Sequence, residues 1–354
     1  MAPDLWSLYA LMLRSRLLEE GIAALWRDGL ISGEMHLGTG EEAIVAGVVS
    51  QLRAGDAMAL DHRGTAPLLM RGVDPVLIVR ELLGLPDGLC AGRGGHMHLY
   101  SRQHLAASSG IVGAAGPAAC GFALAAQHLN PGAIAVAFFG EGAMNAGMLL
   151  EALNLAAVWK LPVLFVCKDD DWSITTRSQS VTGGDLHERA RGLGVPPINV
   201  DGRDVGDVWK AAQAAIARAR AGQGPTWLHA RCVHLEGHLL GFQLLRTLRQ
   251  PLRELPKMSL RLTRSLLQPG GGGLGERLAG LLQVMAALAA TMRDPRGDAA
   301  NDPVRRARAS LQAEPDRLRE LEEQIGQELA DVLARSLARA PAKAPADGPG
   351  EVLA

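Results

Sequence analysis

The chain has 354 residues, with 36 Lys plus Arg against 37 Asp plus Glu and 48% hydrophobic residues. That length can bury a full α/β core as one large domain, or one domain plus an appendage. The balanced charge supplies no global field for nucleic acid or an anionic membrane, and 4% aromatic residues argue against a base-stacking surface.

Asp4, Arg14, Arg16, Glu19 and Glu20 interrupt the N-terminal segment, so neither a signal peptide nor a transit peptide is expected. The longest apolar stretches contain Gly, Pro or charges, so no membrane span is expected. Cys90, Cys120, Cys167 and Cys232 lie far apart, without metal spacing or a disulfide framework. A reducing cytoplasm is the expected setting.

Residues 5–29 predict an amphipathic helix covering an edge or a subunit contact. In SGEMHLGTGEEAIVAGVVSQL, His36 precedes the turn Gly38-Thr39-Gly40, and Glu41 and Glu42 open a helix whose dipole suits them. A histidine there serves structure or catalysis; spacing alone does not decide. In AMALDHRGTAPLLMRG, Arg63 is either a surface ion pair or a planar fork suited to phosphate oxygens. Gly92 to His98 is a glycine-rich turn with two histidines, His96 and His98, but no third ligand nearby in sequence to predict a metal site. Ser109 to Gly113 frees backbone groups ahead of the small-residue helix PAACGFALAAQ.

Residues 133–176 organise the rest. Ala133 to Phe139 is an apolar run that suits a strand covered on both faces. Gly140-Glu141-Gly142 breaks it with a sharp turn bearing a carboxylate. Met148, Leu149, Ala152, Leu155, Ala156 and Trp159 recur at helical spacing, and Leu161 to Cys167 is the next buried strand, ending in Asp169-Asp170-Asp171. Two acidic turns thus share one edge of a parallel sheet, where open α/β sheets bind ligands. Carboxylates fixed there suit a hard divalent ion such as magnesium bridged to a phosphate ester. Ordinary solvated turns are the bland alternative.

Residues 186–232 read as helix, strand (INVDG), helix (208–221) and strand (TWLHARCV), completing a doubly wound, mostly parallel α/β sheet. HLEGHLLGF follows, carrying His234 and His238. The expected organisation is an α/β domain over 1–242, a basic helical insert over 243–301, C-terminal helical segments over 302–340 and a disordered tail over 341–354. The insert carries Arg246, Arg249, Arg253, Lys257, Arg261 and Arg264, set three or four apart. It reads either as a solvated helix or as a docking surface for an acidic partner.

The run EALNLAAVWKLPVLFVC, with Gly140-Glu141-Gly142 ahead of it and the acidic turn behind it, resembles the thiamine-diphosphate motif. The likeness is specifically to the alpha subunit of the first component of 2-oxo-acid (pyruvate, branched-chain) and acetoin dehydrogenase complexes. The resemblance implies a transketolase-like, diphosphate-binding fold with C-terminal helices. It places His36 at the cofactor, His62 and Arg63 where a Tyr-Arg pair grips the diphosphate, and His98 at the end of a Gly-x-Gly-Gly-x-Met-His turn. The backbones of Gly110 and Val112 then hold the aminopyrimidine. Gly140, Glu141, Gly142 and Ala143 form the metal and diphosphate turn, with Asp170 and the carbonyl of Trp172 as further metal ligands. Ile174 wedges under the bent cofactor, and His238 is an active-site histidine. Four positions depart from the pattern: Glu141 stands for Asp, Asp170 for Asn, Thr65 for His and His234 for Arg. An added charge about 5 Å from a phosphate costs on the order of 3 kcal/mol at an effective dielectric near 20, so altered cofactor binding is expected.

By the same resemblance the cofactors are thiamine diphosphate and Mg2+, and the chain is one subunit of an oxidoreductase. A beta subunit supplies the carboxylate at the pyrimidine within an alpha-two beta-two heterotetramer. A lipoyl-bearing acyltransferase component accepts the acyl group, and His36 and His238 serve as acid/base groups. A degenerate subunit with a scaffold or regulatory role is the alternative. The Gly-His and Gly-Gly-x-Met-His segments disfavour a transketolase-like half enzyme. The choice between a 2-oxo acid and acetoin is not legible.

Overall fold

The computed structural model describes residues 4–173, 176–238 and 299–338, with isolated positions between 273 and 282. The expectations for Ile174, for most of the 243–301 insert and for the 341–354 tail therefore lie outside the described residues.

The chain opens with α1 (Leu5–Arg27), α2 (Glu42–Val49), β1 (Ala57–Leu60), α3 (Thr65–Arg71) and α4 (Pro75–Leu82). It continues through β2 (Tyr100–Ser101), β3 (Ala106–Ser108), α5 (Ala115–Leu129), β4 (Ala135–Gly140), α6 (Gly147–Val158) and β5 (Val163–Asp169). Then come a small ribbon, β6 (Trp172–Ser173) and β7 (Thr176–Arg177), followed by α7 (Leu186–Gly192), β8 (Pro197–Asp201), α8 (Val205–Arg220) and β9 (Thr226–Arg231). The described residues close with α9 (Pro303–Ser310) and α10 (Pro315–Leu337).

The main sheet runs in the order β2-β3-β1-β4-β5-β9-β8. Only the β2–β3 pair is antiparallel. The central strands are apolar throughout because both faces are covered. In β4, Val136 and Phe138 enter the core shared with α1, α2 and α8, while Ala135, Ala137 and Phe139 enter the core under α5 and α6. β5 splits the same way, Leu164 and Val166 against Val163, Phe165 and Cys167.

Local signals shift several predicted boundaries. Asp204 caps α8 by accepting from the backbone N–H of Gly206 and Asp207, so that helix starts ahead of residue 208. A 3₁₀ turn over Glu141–Asn145 precedes α6, which begins at Gly147.

The C-terminal helices α9 and α10 contribute Val304, Leu311, Leu318, Ile325, Leu329 and Val332 to the core that holds α1, α2 and α4. Arg16 fastens them. Its Nε meets Glu42 at 2.6 Å, and its two terminal nitrogens meet both oxygens of Asp302 at 2.9 and 3.0 Å. Asp302 is also the cap of α9, accepting from the backbone of Val304 and Arg305.

Candidate active site

Because the central strands are parallel, their carboxyl ends meet at one edge. Asp61, His62 and Arg63 follow β1, and Gly110 and Val112 follow β3. Glu141 follows β4, Asp170 follows β5, and His234 and His238 follow β9. His36 and Glu41 arrive from the turn before α2. Gly40 makes this docking possible: its φ is +103°, and a Cβ there would lie 1.9 Å from the carbonyl oxygen of Val233. Only glycine tolerates both demands.

A buried chain of charges runs beneath the edge. Lys168, fully enclosed in β5, reaches Glu41 at 2.6 Å and Asp61 at 3.0 Å. Burial disfavours its charge, but Asp61 and Glu41 more than offset that and push its pKa up. Glu41 meets His234 Nε2 at 2.8 Å and lies 3.7 Å from Arg63 Nε. Burial works against its charge, yet Lys168, His234 and Arg63 hold it below the usual carboxylate range. On the other side of His234, Nδ1 lies 2.6 Å from Asp170 Oδ2. Burial and Arg63 oppose protonation of His234, but Asp170 and Glu41 prevail and raise its pKa.

Asp170 and Glu141 face each other electrostatically with opposite outcomes. Burial opposes ionisation of Asp170, but His234 and His238 hold its pKa well below the carboxylate range. Glu141 has no such partner. Burial and the charge of Asp170 push it up to about 8, while a hydrogen bond from Ser178 Oγ pulls the other way.

Four histidines form the opposite wall. His36 Nδ1 is 3.0 Å from His96 Nε2, and the His36 ring lies 4.5 Å from that of His62 and 5.8 Å from that of His238, centre to centre. Burial, then the nearby Arg63 charge, depresses His62 to about 3 and His96 to about 4, and lowers His36 as well. His238 is lowered by burial although Asp170 resists. Arg63 donates to the carbonyl oxygen of Leu37 and, at 2.6 Å, to that of His238.

The remaining predicted residues frame this pocket. His98 is exposed and abuts Gly110, where an added Cβ would lie 3.4 Å from its Nε2 and 3.0 Å from Met97 Sδ. The glycine-rich turn before it is held by buried Glu81, which accepts from the backbone N–H of Cys90, Gly92 and Gly94. Val112 is exposed. Gly140 ends β4, Gly142 lies beside Ser173, and Ala143 is buried in the 3₁₀ turn. The Trp172 ring lies under the Arg177 guanidinium at 4.6 Å. Thr65 is buried at the start of α3.

Sequence reasoning missed Lys168, Asp61, Ser178 and the buried role of Glu41. Only Lys168 left a signal, a lone cation closing an otherwise apolar strand.

The family described as dehydrogenase E1 component matches residues 9–241. The chain belongs to this family. The alpha subunit of acetoin:2,6-dichlorophenolindophenol oxidoreductase from Cupriavidus necator is 40% identical over 239 residues, 67% of this chain and 72% of that one. The corresponding Bacillus subtilis subunit is 38% identical over 239 residues, with the same coverage of 67% and 72%. The alpha subunit of the pyruvate dehydrogenase E1 component from Zymomonas mobilis is 38% identical over 238 residues, 66% of this chain and 67% of that one. The E1 match covers every residue of the pocket and ends before α9 and α10. Among the described residues no helix is long and apolar enough to cross a membrane.

Proposed function

We propose that this chain is the alpha subunit of a thiamine-diphosphate-dependent oxidoreductase that cleaves a 2-oxo acid or acetoin and passes the acyl group to a lipoyl-bearing acyltransferase component. The observation that carries this reading is the pairing of buried Glu141 and Asp170 at neighbouring strand ends, opposite Arg63 and the histidine wall. Glu141, enclosed beside the charge of Asp170 and raised to about 8, is short of positive charge. A divalent ion such as Mg2+ supplies it. Burial first and the Arg63 charge second keep protons off His36, His62 and His96, and that same Arg63 charge favours a diphosphate. The side chains present therefore fit an ion bridged to an anionic cofactor.

When bound, thiamine diphosphate supplies carbanion chemistry at a carbonyl carbon. Around it Glu141, Asp170 and the Trp172 carbonyl would hold the ion, and His62, Arg63 and His98 would face the diphosphate. Gly110 and Val112 would orient the pyrimidine through their backbone, Gly140, Gly142 and Ala143 would admit the phosphates closely, and Ile174 would support the bend. His36 and His238, which burial keeps neutral, would be the acid/base groups once bound anionic ligand offsets the Arg63 charge beside them.

Alpha subunits of the E1 family pair with beta subunits. Ile111 and Val112, each 61% exposed, and the exposed Met148 leave an apolar surface at the pocket's mouth. In the proposed cytoplasmic alpha-two beta-two heterotetramer the beta subunit covers that surface and brings the missing carboxylate. Residues 1–242 would carry the cofactor, with the 243–301 insert and the 302–340 helices as appended parts. A catalytically silent scaffold has no observation in its favour.

The test is co-expression with the beta subunit and calorimetry of thiamine diphosphate with Mg2+, Mn2+ and Ca2+. Cofactor should bind only with a divalent ion, Glu141→Ala should abolish that binding in a folded complex, and pyruvate or acetoin should be consumed with an artificial electron acceptor. A folded complex that binds no cofactor with any ion sinks the reading.

A further inference from the structure

We propose that His96 is the positioning residue of His36: it accepts from Nδ1 of that ring and so leaves Nε2 as the basic nitrogen presented to the pocket. His36 Nδ1 lies 3.0 Å from His96 Nε2. The two ring centres are 5.2 Å apart, and the ring planes are tilted by 21°. With the nitrogens in contact, that separation is too long for overlapping faces. The rings therefore meet end to end along the line of the nitrogens, the direction a hydrogen bond requires. The other two rings stand across His36, His62 at 81° and His238 at 89°. Among the described residues, His62 Nε2 is buried with no hydrogen-bond partner, and His238 Nδ1 approaches Asp170 without alignment.

His96 can hold a neighbour because its own loop is pinned. It sits in the turn from Gly92 to His98, where Gly92 and Gly95 have φ of +71° and +57°. Such a glycine-rich loop is loose unless something ties it. Here buried Glu81 accepts from the backbone N–H of Cys90, Gly92 and Gly94 at 2.6 to 2.8 Å, and the N–H of His98 returns to the Gly94 carbonyl at 3.3 Å. His36 is fixed from the other side. Met35 and Leu37 are buried in the core, and the Leu37 carbonyl accepts from Arg63. Two anchored backbones thus keep the imidazoles in contact, as a support for a working side chain must.

Charge decides which ring donates. Burial and Arg63 act on both, while His62 and His238 add to the field at His36 and His98 to that at His96. His36 is lowered further than His96, which falls to about 4. The more basic ring is the better acceptor, so His36 donates from Nδ1 and His96 receives. Nε2 of His36 then carries the lone pair that a general base needs. When it takes a proton, the bond from Nδ1 to His96 becomes charge-assisted and strengthens. A hydrogen bond at one imidazole nitrogen setting the role of the other is a general device. The inference rests on the reading of His36 as an acid/base group and adds to it the residue that aims it.

The experiment measures turnover of pyruvate or acetoin with an artificial electron acceptor, using the chain co-purified with its beta subunit and supplied with thiamine diphosphate and Mg2+. A positioned acid or base contributes roughly 10²–10⁴-fold, so His36→Ala should lower kcat by that order. His96→Leu should lower kcat by about 10–100-fold, the usual effect of removing the partner behind a working imidazole, with KM and calorimetric cofactor affinity unchanged. His96→Gln, whose side-chain carbonyl still accepts from Nδ1, should recover most of that loss. In the double variant His36→Ala/His96→Leu the deficit should equal that of His36→Ala alone, because His96 acts only through His36. Circular dichroism verifies the fold, and His96→Ala replaces the leucine variant if leucine disturbs the turn. Full activity in a folded His96→Leu or His96→Ala complex, failure of His96→Gln to recover, or losses that multiply in the double variant would overturn the proposal. An active wild type with an equally active His96→Leu removes this inference and leaves the function standing. A wild-type complex that binds cofactor but consumes neither substrate removes the function and this inference with it.

Discussion

Two clusters of buried charge meet the start of α2, one at Glu42 and one at Glu41, and they differ in how completely they are satisfied. Arg16 spends all three guanidinium nitrogens on Glu42 and Asp302 in aligned hydrogen bonds of 2.6 to 3.0 Å. That cluster ties three helices together. At the sheet edge, by contrast, His234 and His238 present misaligned nitrogens to Asp170, and Glu141 is held up at about 8. A buried charge with every direction filled is structural, whereas one left short of partners marks where a ligand belongs.

The strongest way to break this contrast is Arg16→Met. It leaves Glu42 and Asp302 enclosed without their cation, which should cost about 3–5 kcal/mol of stability in urea unfolding of the complex. A loss below about 1 kcal/mol would mean that the aligned cluster is dispensable, and the distinction would fail. Gly40→Ala comes next. Left-handed backbone costs a non-glycine residue about 1–2 kcal/mol, and the overlap with the Val233 carbonyl must also be relieved. The segment leading to His234 should shift, so cofactor affinity should fall more than overall stability does. Equal losses would show that the turn serves folding alone.

Glu19 sharpens the comparison because it lies between the clusters. Burial and the neighbouring Glu42 and Glu41 push its pKa from 4.5 up to about 8. Between those values the folded chain holds a proton that the unfolded chain releases, so this group's contribution falls as pH rises from 4.5 towards 8. Glu19→Gln should remove that decline, read from urea midpoints across the interval. An unchanged slope would assign the dependence to other groups.

The edge that carries the candidate site was legible in the sequence because an acid follows the end of each strand, at Phe139-Gly140-Glu141 and again at Lys168-Asp169-Asp170. Apolar runs ending in turn residues report both the strands and their ends. What brought His234 to Asp170 was not legible. It depends on β9 pairing beside β5, a long-range choice no local pattern encodes. Glu41 misled for a related reason: an acid in the first turn of a helix suits the dipole, and only packing against β5 reveals that it serves Lys168 instead. The 3₁₀ turn at Glu141–Asn145 was hidden because its residues also fit an α-helical start.

The smallest expected effect closes the comparison from the solvent side. Arg191 and Glu188 on α7 form an ion pair at 2.8 Å, as short as several bonds in the buried clusters, yet both side chains are more than 60% exposed. Water and salt screen such a pair, and ordering two long side chains offsets the remaining attraction. Arg191→Ala should therefore change unfolding stability by less than about 0.5 kcal/mol, and added salt should leave even that difference smaller. If it instead matched the loss from Arg16→Met, distance rather than enclosure would set the worth of these pairs. The separation drawn between structural and ligand-seeking charge would then have no physical basis.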